Sequence, residues 1–330
     1  MLNKSNAHNI VLQVYDGYGH TENLNLFGNV YKGKPARERK YTKNVFANIS
    51  RLLKLFFIKP VANAKLRLHW QGIVIETSTE KDGFFKFAWE SPTHLEAGWQ
   101  EGLVQLVDDN GSVLRSETAK VYVPHITQYA FVSDIDDTVM MSYSATKVKR
   151  LRALLTKHPH NRRIFEGVKE LYQKFMAAYT KPDVPNPFFY VSSSEWNLYY
   201  DLRSFFGYNK LPQGIFLLSQ MKRWFQLIKT GQTKHTGKLS RIYRVMEAFP
   251  KQKFVFLGDN SQADPDIYAA IANKFPERVF AIYIRNIRPS RQAHTKKTLD
   301  SILAAENIHT LLYDHSREVI DHGKRVGLIE

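Results

Sequence analysis

The chain has 330 residues, no cysteine and a formal net charge of +16, with 43% hydrophobic and 13% aromatic residues. That size and apolar content fit one large folded domain or two ordinary ones and exclude wholesale disorder. The lack of cysteine excludes disulfides, thiolate metal sites and a thiol nucleophile and suits a reducing, cytoplasmic setting, while the positive field favours polyanions: nucleic acid, anionic lipid surfaces or phosphorylated small molecules.

In chain order, the first twenty residues carry no apolar core of signal-peptide length. From Tyr31 to Trp70 there are eleven Lys or Arg and a single acid, Glu38. Within that basic region, TKNVFANISRLLKLFFI (42–58) spaces Val45, Phe46, Ile49, Leu52, Leu53 and Phe56 as one helical stripe, with Lys43, Arg51 and Lys54 between them. The pattern predicts a basic amphipathic helix, which either packs on its own fold or lies on an anionic membrane surface, making the protein peripheral there. Residues 61–125 read as short strands, with EKDG and DDNG as hairpin turns. The expectation is a β-sandwich-like N-terminal domain over residues 1–124.

Beyond Pro124 the texture changes. Apolar strands are predicted at 129–135, 187–194, 214–219, 253–259 and 278–284, with helices near 144–157, 164–179, 195–207, 238–249 and 264–275. That alternation predicts an α/β domain over 125–330, with a parallel sheet covered by helices. In such a sheet all strands end on one edge, where ligands bind. The strand ends are unusually acidic. SDIDDT supplies Asp134, Asp136 and Asp137, GDNSQADPD supplies Asp259, Asp264 and Asp266, and SSS supplies Ser192. Carboxylates crowded this way repel unless a cation sits among them. Oxygen donors without Cys or His suit Mg²⁺.

These residues resemble the haloacid dehalogenase superfamily of phosphohydrolases. Asp134-Ile135-Asp136-Asp137-Thr138 resembles its first motif, Ser192 its second, and Gly258-Asp259 with Asp264 its acidic fourth motif. Two lysines are candidates for the third, Lys238 at the opening of a helix and Lys234 as runner-up. More narrowly, SDIDDTV, YVSSSEWNLYYDLRSFF, the run from Gly237 to Ile287 and the tail DHGKRVGLIE resemble the actin-patch-associated phosphatidate phosphatases and their bacterial relatives. The resemblance implies a haloacid-dehalogenase-like Rossmannoid parallel sheet. Residues 139–186 hold room for only about two helices, hence a minimal cap and an open site suited to a bulky substrate.

It further implies a Mg²⁺-dependent phosphomonoester hydrolase, with phosphatidate as first choice. Asp134 is the expected nucleophile and Asp136 the general acid and base. Ser192 and Thr138 are expected at the phosphate, and Lys238 at both phosphate and nucleophile. Asp134, the Asp136 backbone carbonyl and Asp259 are the expected metal ligands, with Asp264 orienting from behind. Asp137 gains no chemical role and reads as a loop-geometry residue. Two rivals remain open at this level: a phosphatase of nucleotides or nucleic-acid ends, and a non-catalytic membrane or cytoskeletal interaction module.

Overall fold

A computed structural model describes residues 9–33, 59–141, 163–219, 234–306 and 308–330. The expected helices at 42–58 and 144–157 lie outside the described residues, as does the side chain of Lys234. The chain divides into two compact units that change over between His125 and Ile126.

The first unit is β throughout its described residues. Its strands are β1 (Ile10–Val14), β2 (Gly17–His20), β3 (Asn23–Lys32), β4 (Lys59–Pro60), β5 (Lys65–Trp70), β6 (Ile73–Ser78), β7 (Phe84–Trp89), β8 (Gly98–Val107) and β9 (Val113–Val123). In place of two separate sheets, hydrogen bonding joins all nine in the order β1-β3-β2-β9-β8-β5-β6, with β4 and β7 also paired to β3. One apolar cluster draws on Leu24, Leu26, Phe85, Phe87, Leu66, Leu68, Val104 and Val121 from five of these strands. Period-two alternation drives this: β5 and β7 bury every second residue. Both turn signals are realised. Asp108 Oδ1 accepts from the amides of Asn110 (3.0 Å) and Ser112 (2.8 Å). At the other turn, Gly83 has φ +78°, and a Cβ there would lie 2.4 Å from the Val30 carbonyl.

Strands β1 to β3 lie upstream of the region read as β-rich. Their sequence hides them because polar and apolar residues alike are buried. Tyr15 donates to Asn29 Oδ1 (2.8 Å) and Tyr31 to Gln13 Oε1 (3.1 Å), all four side chains being buried.

The second unit is α/β. Strands β10 (Tyr129–Asp134), β11 (Phe188–Glu195), β12 (Ile215–Ser219), β13 (Lys253–Asp259), β14 (Val279–Arg285) and β15 (His309–Tyr313) form one sheet in the order β12-β11-β10-β13-β14-β15. Every pairing in it is parallel. The helices are α1 (Val168–Ala177), α2 (Tyr199–Tyr208), α3 (Lys234–Ala248), α4 (Asp264–Lys274), α5 (Gln292–Glu306) and α6 (Ser316–Arg325). The central strands read as continuous apolar runs because helices cover the sheet. Phe131 stacks on Phe175 of α1 at 4.7 Å and on Phe188 of β11 at 4.9 Å. A fully buried Phe of this kind contributes about 2 kcal/mol.

β10 is the first strand of the sheet in sequence and lies in its middle, flanked by β11 and β13. The chain therefore reverses its order of addition at β10, which puts a crevice at the carboxyl ends of these three strands. Strand β15 and helices α5 and α6 extend the unit past the elements read from the sequence. No described helix is long and apolar enough to cross a membrane.

Candidate active site

Asp134 is the last residue of β10 and Asp259 the last of β13; Ser192 lies near the end of β11 and Asp264 opens α4. Parallel pairing of β10 with both neighbours, Asp134 opposite Val191 and Ser133 opposite Leu257, brings these ends together. After Asp134 the backbone turns tightly. The amides of Val139 and Met140 donate to the Ile135 carbonyl (3.1 and 3.0 Å), and that of Asp137 to the Met140 carbonyl (2.9 Å). Asp137 takes φ +59°, a left-handed conformation that Asp tolerates better than most side chains, so its place in the turn is geometric. Asp136 and Thr138 on either side of it are buried at the same strand end.

One cation lies among the acids. Lys238 Nζ, from the first half of α3, donates to Asp134 Oδ1 at 2.7 Å and to Asp264 Oδ1 at 2.5 Å. All three side chains are nearly inaccessible to solvent. Asp264 Oδ2 also faces the Asp259 amide (3.4 Å), so both of its oxygens are engaged. Gly258 makes this approach possible. A Cβ there would come within 2.7 Å of Asp264 Oδ2 and 2.8 Å of the Tyr268 ring. On the other side of β10, the Ser192 hydroxyl donates to Asp136 Oδ2 (3.1 Å) and accepts from the Ser194 amide (3.0 Å).

The electrostatics are unbalanced. Burial pushes the Asp134 carboxyl well above the ordinary carboxylate range; Lys238 pulls it back down, while Asp264, Asp259 and Asp136 push it up again. Asp259 is pushed up to about 7, by burial first and then by Asp264. Burial alone would lower the Lys238 ammonium; Asp134 and Asp264 outweigh that and raise it. One lysine thus leaves the acids short of positive charge.

The donor set fits a hard divalent cation. Carboxylate oxygens from Asp134, Asp259 and Asp264 lie within 4.8 Å of one another. That is close to the span of two oxygens on opposite sides of an ion about 2.1 Å from each. Asp134 Oδ2 and Asp259 Oδ2 are buried without a hydrogen-bond partner. An orphaned carboxylate oxygen is costly unless something absent from the protein completes it.

Of the residues read from the sequence, Asp134, Asp136, Ser192, Lys238, Asp259 and Asp264 form one connected cluster, with Thr138 in the adjoining turn. Of the two candidate lysines, Lys238 makes the contacts just described. Three further polar residues at this edge were not singled out by any motif. Asn260 is fully buried and saturated: its Oδ1 accepts from the amides of Ile287 and Arg288 (both 2.7 Å), and its Nδ2 donates to Asn286 Oδ1 (2.8 Å) and the Arg288 carbonyl (3.2 Å). Asn197, just past β11, is buried with neither amide atom partnered. Arg241 of α3 reaches the Ser192 carbonyl (3.3 Å).

Comparison with known proteins bears on residues 129–286, which match the family profile described as Phosphatidate phosphatase APP1, catalytic domain. The match takes in every residue of the cluster. Those residues belong to the APP1 family. Phosphatidate phosphatase APP1 of Saccharomyces cerevisiae is 30% identical over 155 residues, covering 47% of this chain and 25% of the yeast protein. An uncharacterized protein of Schizosaccharomyces pombe is 24% identical over 257 residues, covering 76% of this chain and 41% of its own length. The chain thus aligns with well under half the length of either relative. Among solved structures, a carbohydrate acetylesterase from Xanthomonas citri shares 12% identity at a TM-score of 0.36, covering 96% of this chain and 73% of the esterase. A likeness that weak carries no argument about fold or chemistry. The APP1-family assignment rests on the sequence matches, and the family profile covers residues 129–286, where the acid cluster lies.

Proposed function

We propose that residues 125–330 form a haloacid-dehalogenase-like, Mg²⁺-dependent phosphomonoester hydrolase that works through an aspartyl-phosphate, with phosphatidate as its substrate. The observation that carries the reading is Lys238 bridging Asp134 and Asp264 while Asp134 Oδ2 and Asp259 Oδ2 stay unpartnered. This is a site built to receive both a cation and an anion.

In the first step a carboxylate oxygen of Asp134 attacks phosphorus, forming a P–O bond to the side chain as the bond to the ester oxygen breaks. Asp136 gives its proton to the departing oxygen, which leaves as the alcohol. In the second step Asp136, now a carboxylate, takes a proton from water as that water attacks the same phosphorus, freeing inorganic phosphate and restoring Asp134. Ser192, hydrogen-bonded to Asp136, holds the acid in place and adjoins the phosphoryl site with Thr138. Lys238 offsets part of the burial that disfavours the Asp134 carboxylate and offers its remaining proton to a phosphoryl oxygen. Mg²⁺ held by Asp134, Asp259 and the Asp136 carbonyl would neutralise charge on the transferring group. Asp264, fixed by Lys238 and the Asp259 amide, orients that set from behind.

The choice of lipid rests on the family and on the basic region 31–70, where each Lys or Arg near an anionic membrane contributes about 1 kcal/mol. The test is phosphate release, with and without Mg²⁺, from phosphatidate in mixed micelles and from 5′-phosphorylated oligonucleotide. Mg²⁺-dependent release from phosphatidate is expected, and the Asp134→Asn variant should lose at least about 10³-fold of it while keeping its circular dichroism spectrum. Turnover retained in that variant would end the mechanism. Preference for the oligonucleotide would replace the substrate.

A further inference from the structure

Arg241 follows Lys238 by three positions on α3, so the two side chains leave the same face of the helix. Lys238 goes to the ends of β10 and α4. Arg241 goes to the end of β11, where its Nη2 donates to the Ser192 carbonyl. Ser192 is also the residue whose hydroxyl holds Asp136. The two cations of one helix face therefore flank the acid cluster from two sides.

Their surroundings differ. Lys238 has two carboxylates within 2.7 Å. Among the described residues Arg241 forms no ion pair, and its Nε is buried with no hydrogen-bond partner. Burial first, and then the neighbouring Arg244, push its guanidinium down to about 10, which is the signature of a cation without an anion. A guanidinium carries five donors in a planar fork matched to phosphate geometry. Fixing one carbonyl leaves most of that fork unused. A mere strut between α3 and β11 would be served more cheaply by a neutral donor, since an uncompensated buried charge is costly.

We infer that Arg241 is a substrate-binding residue of this site. It donates to a non-bridging oxygen of the phosphoryl group from the β11 side, while Lys238 faces that group from the α4 side. The inference deepens the phosphatase reading and rests on it. It assigns recognition of the doubly charged phosphate monoester to a residue outside the acidic and lysine motifs.

The probe is inorganic phosphate, titrated calorimetrically into the full chain in excess Mg²⁺, alongside steady-state kinetics. Arg241→Gln should weaken phosphate binding by about tenfold or more, the worth of one charge-assisted hydrogen bond to a doubly charged anion. It should raise KM in parallel and change kcat less than about threefold. Arg241→Lys, which keeps a point charge but not the fork, should fall between wild type and Arg241→Gln, and it carries the test if the glutamine variant does not fold. A folded Arg241→Gln variant binding phosphate within about twofold of wild type, or, if that variant does not fold, an Arg241→Lys variant indistinguishable from wild type, would overturn the inference, whatever happens to the melting temperature. If wild type binds phosphate and hydrolyses the ester but the variants do likewise, only this inference falls. A wild-type protein that does neither removes the phosphatase reading, and this inference with it.

Discussion

Asp259 and Asn260 are consecutive, both fully buried at the end of β13, and nearly equal in size, yet they sit in opposite states of completion. Asn260 makes four hydrogen bonds that stitch the strand end to residues 286–288. Asp259 accepts from the Ser261 amide on Oδ1 (2.5 Å) and leaves Oδ2 bare. Burial of a polar group signals structure when the fold satisfies it and a ligand when the fold does not. On the proposed reading, the boundary between scaffold and chemistry thus falls between two adjacent residues.

That contrast can be broken experimentally, and the largest expected effect comes from its chemical half. Asp259→Asn should lower Mg²⁺-dependent phosphate release by about 10²-fold or more, the range seen when a metal's oriented ligand shell is damaged. The metal-free variant should melt no lower than wild type, because an uncompensated buried carboxylate has been removed. A melting temperature that collapses instead would make Asp259 a structural residue and dissolve the contrast.

Asn260→Ala should do the reverse. It strands two amides and two acceptors and should cost about 3 kcal/mol in chemical denaturation. Phosphate release well below the melting temperature should fall less than in Asp259→Asn. A neutral effect on stability would show that this network fastens nothing.

The smallest effect is the pH dependence of stability without metal. The folded-state value of Asp259 is raised to about 7 from an ordinary 3.8, and Asp134 is raised too. A raised carboxyl favours the protonated form in the folded protein, so its contribution is fully present below the ordinary value and is lost as pH rises toward about 7. Melting temperature in chelator should therefore fall by a few degrees between about pH 4 and pH 7, on top of other titrations. Added Mg²⁺ should restore it, by more at about pH 8 than at about pH 5, since ligands must be ionised to bind. Asp259→Asn should flatten this difference. An unchanged slope in that variant would assign the titration elsewhere.

The acid cluster was legible in sequence because its members sit at the ends of apolar strands, where a parallel sheet forces convergence. The third acid, Asp137, read as a loop-geometry residue, takes a positive φ in the turn. What remained hidden lacks periodicity or company. Strands β1 to β3 bury Gln13, Asn25 and Asn29 among apolar residues and so read as unpatterned. Strand β15 is short and half-exposed at the sheet's edge. Arg241 stands in a helix rich in Lys and Arg, where a single basic residue looks like solvent-facing charge. Asn260 resembles any polar turn residue until its four partners are in place. Motifs survive in sequence when chemistry repeats them; single residues that only complete a geometry do not.

The parallel pairing of β10 with β13 also bears on when a metal ion could bind at this site. Lys238 stands 104 residues from Asp134, and Ser192 stands 56 residues from Asp136. No local hairpin or single βα unit can assemble these groups, so the site cannot form before strands distant in sequence have paired. Distant strand pairing of this kind is closed late and slowly. A divalent metal held by the acid cluster would therefore find little to bind in the early chain and would lock the domain only after the central strands have met. Such a metal should slow unfolding far more than it speeds folding and would act as a latch on the finished fold, not as a seed for it.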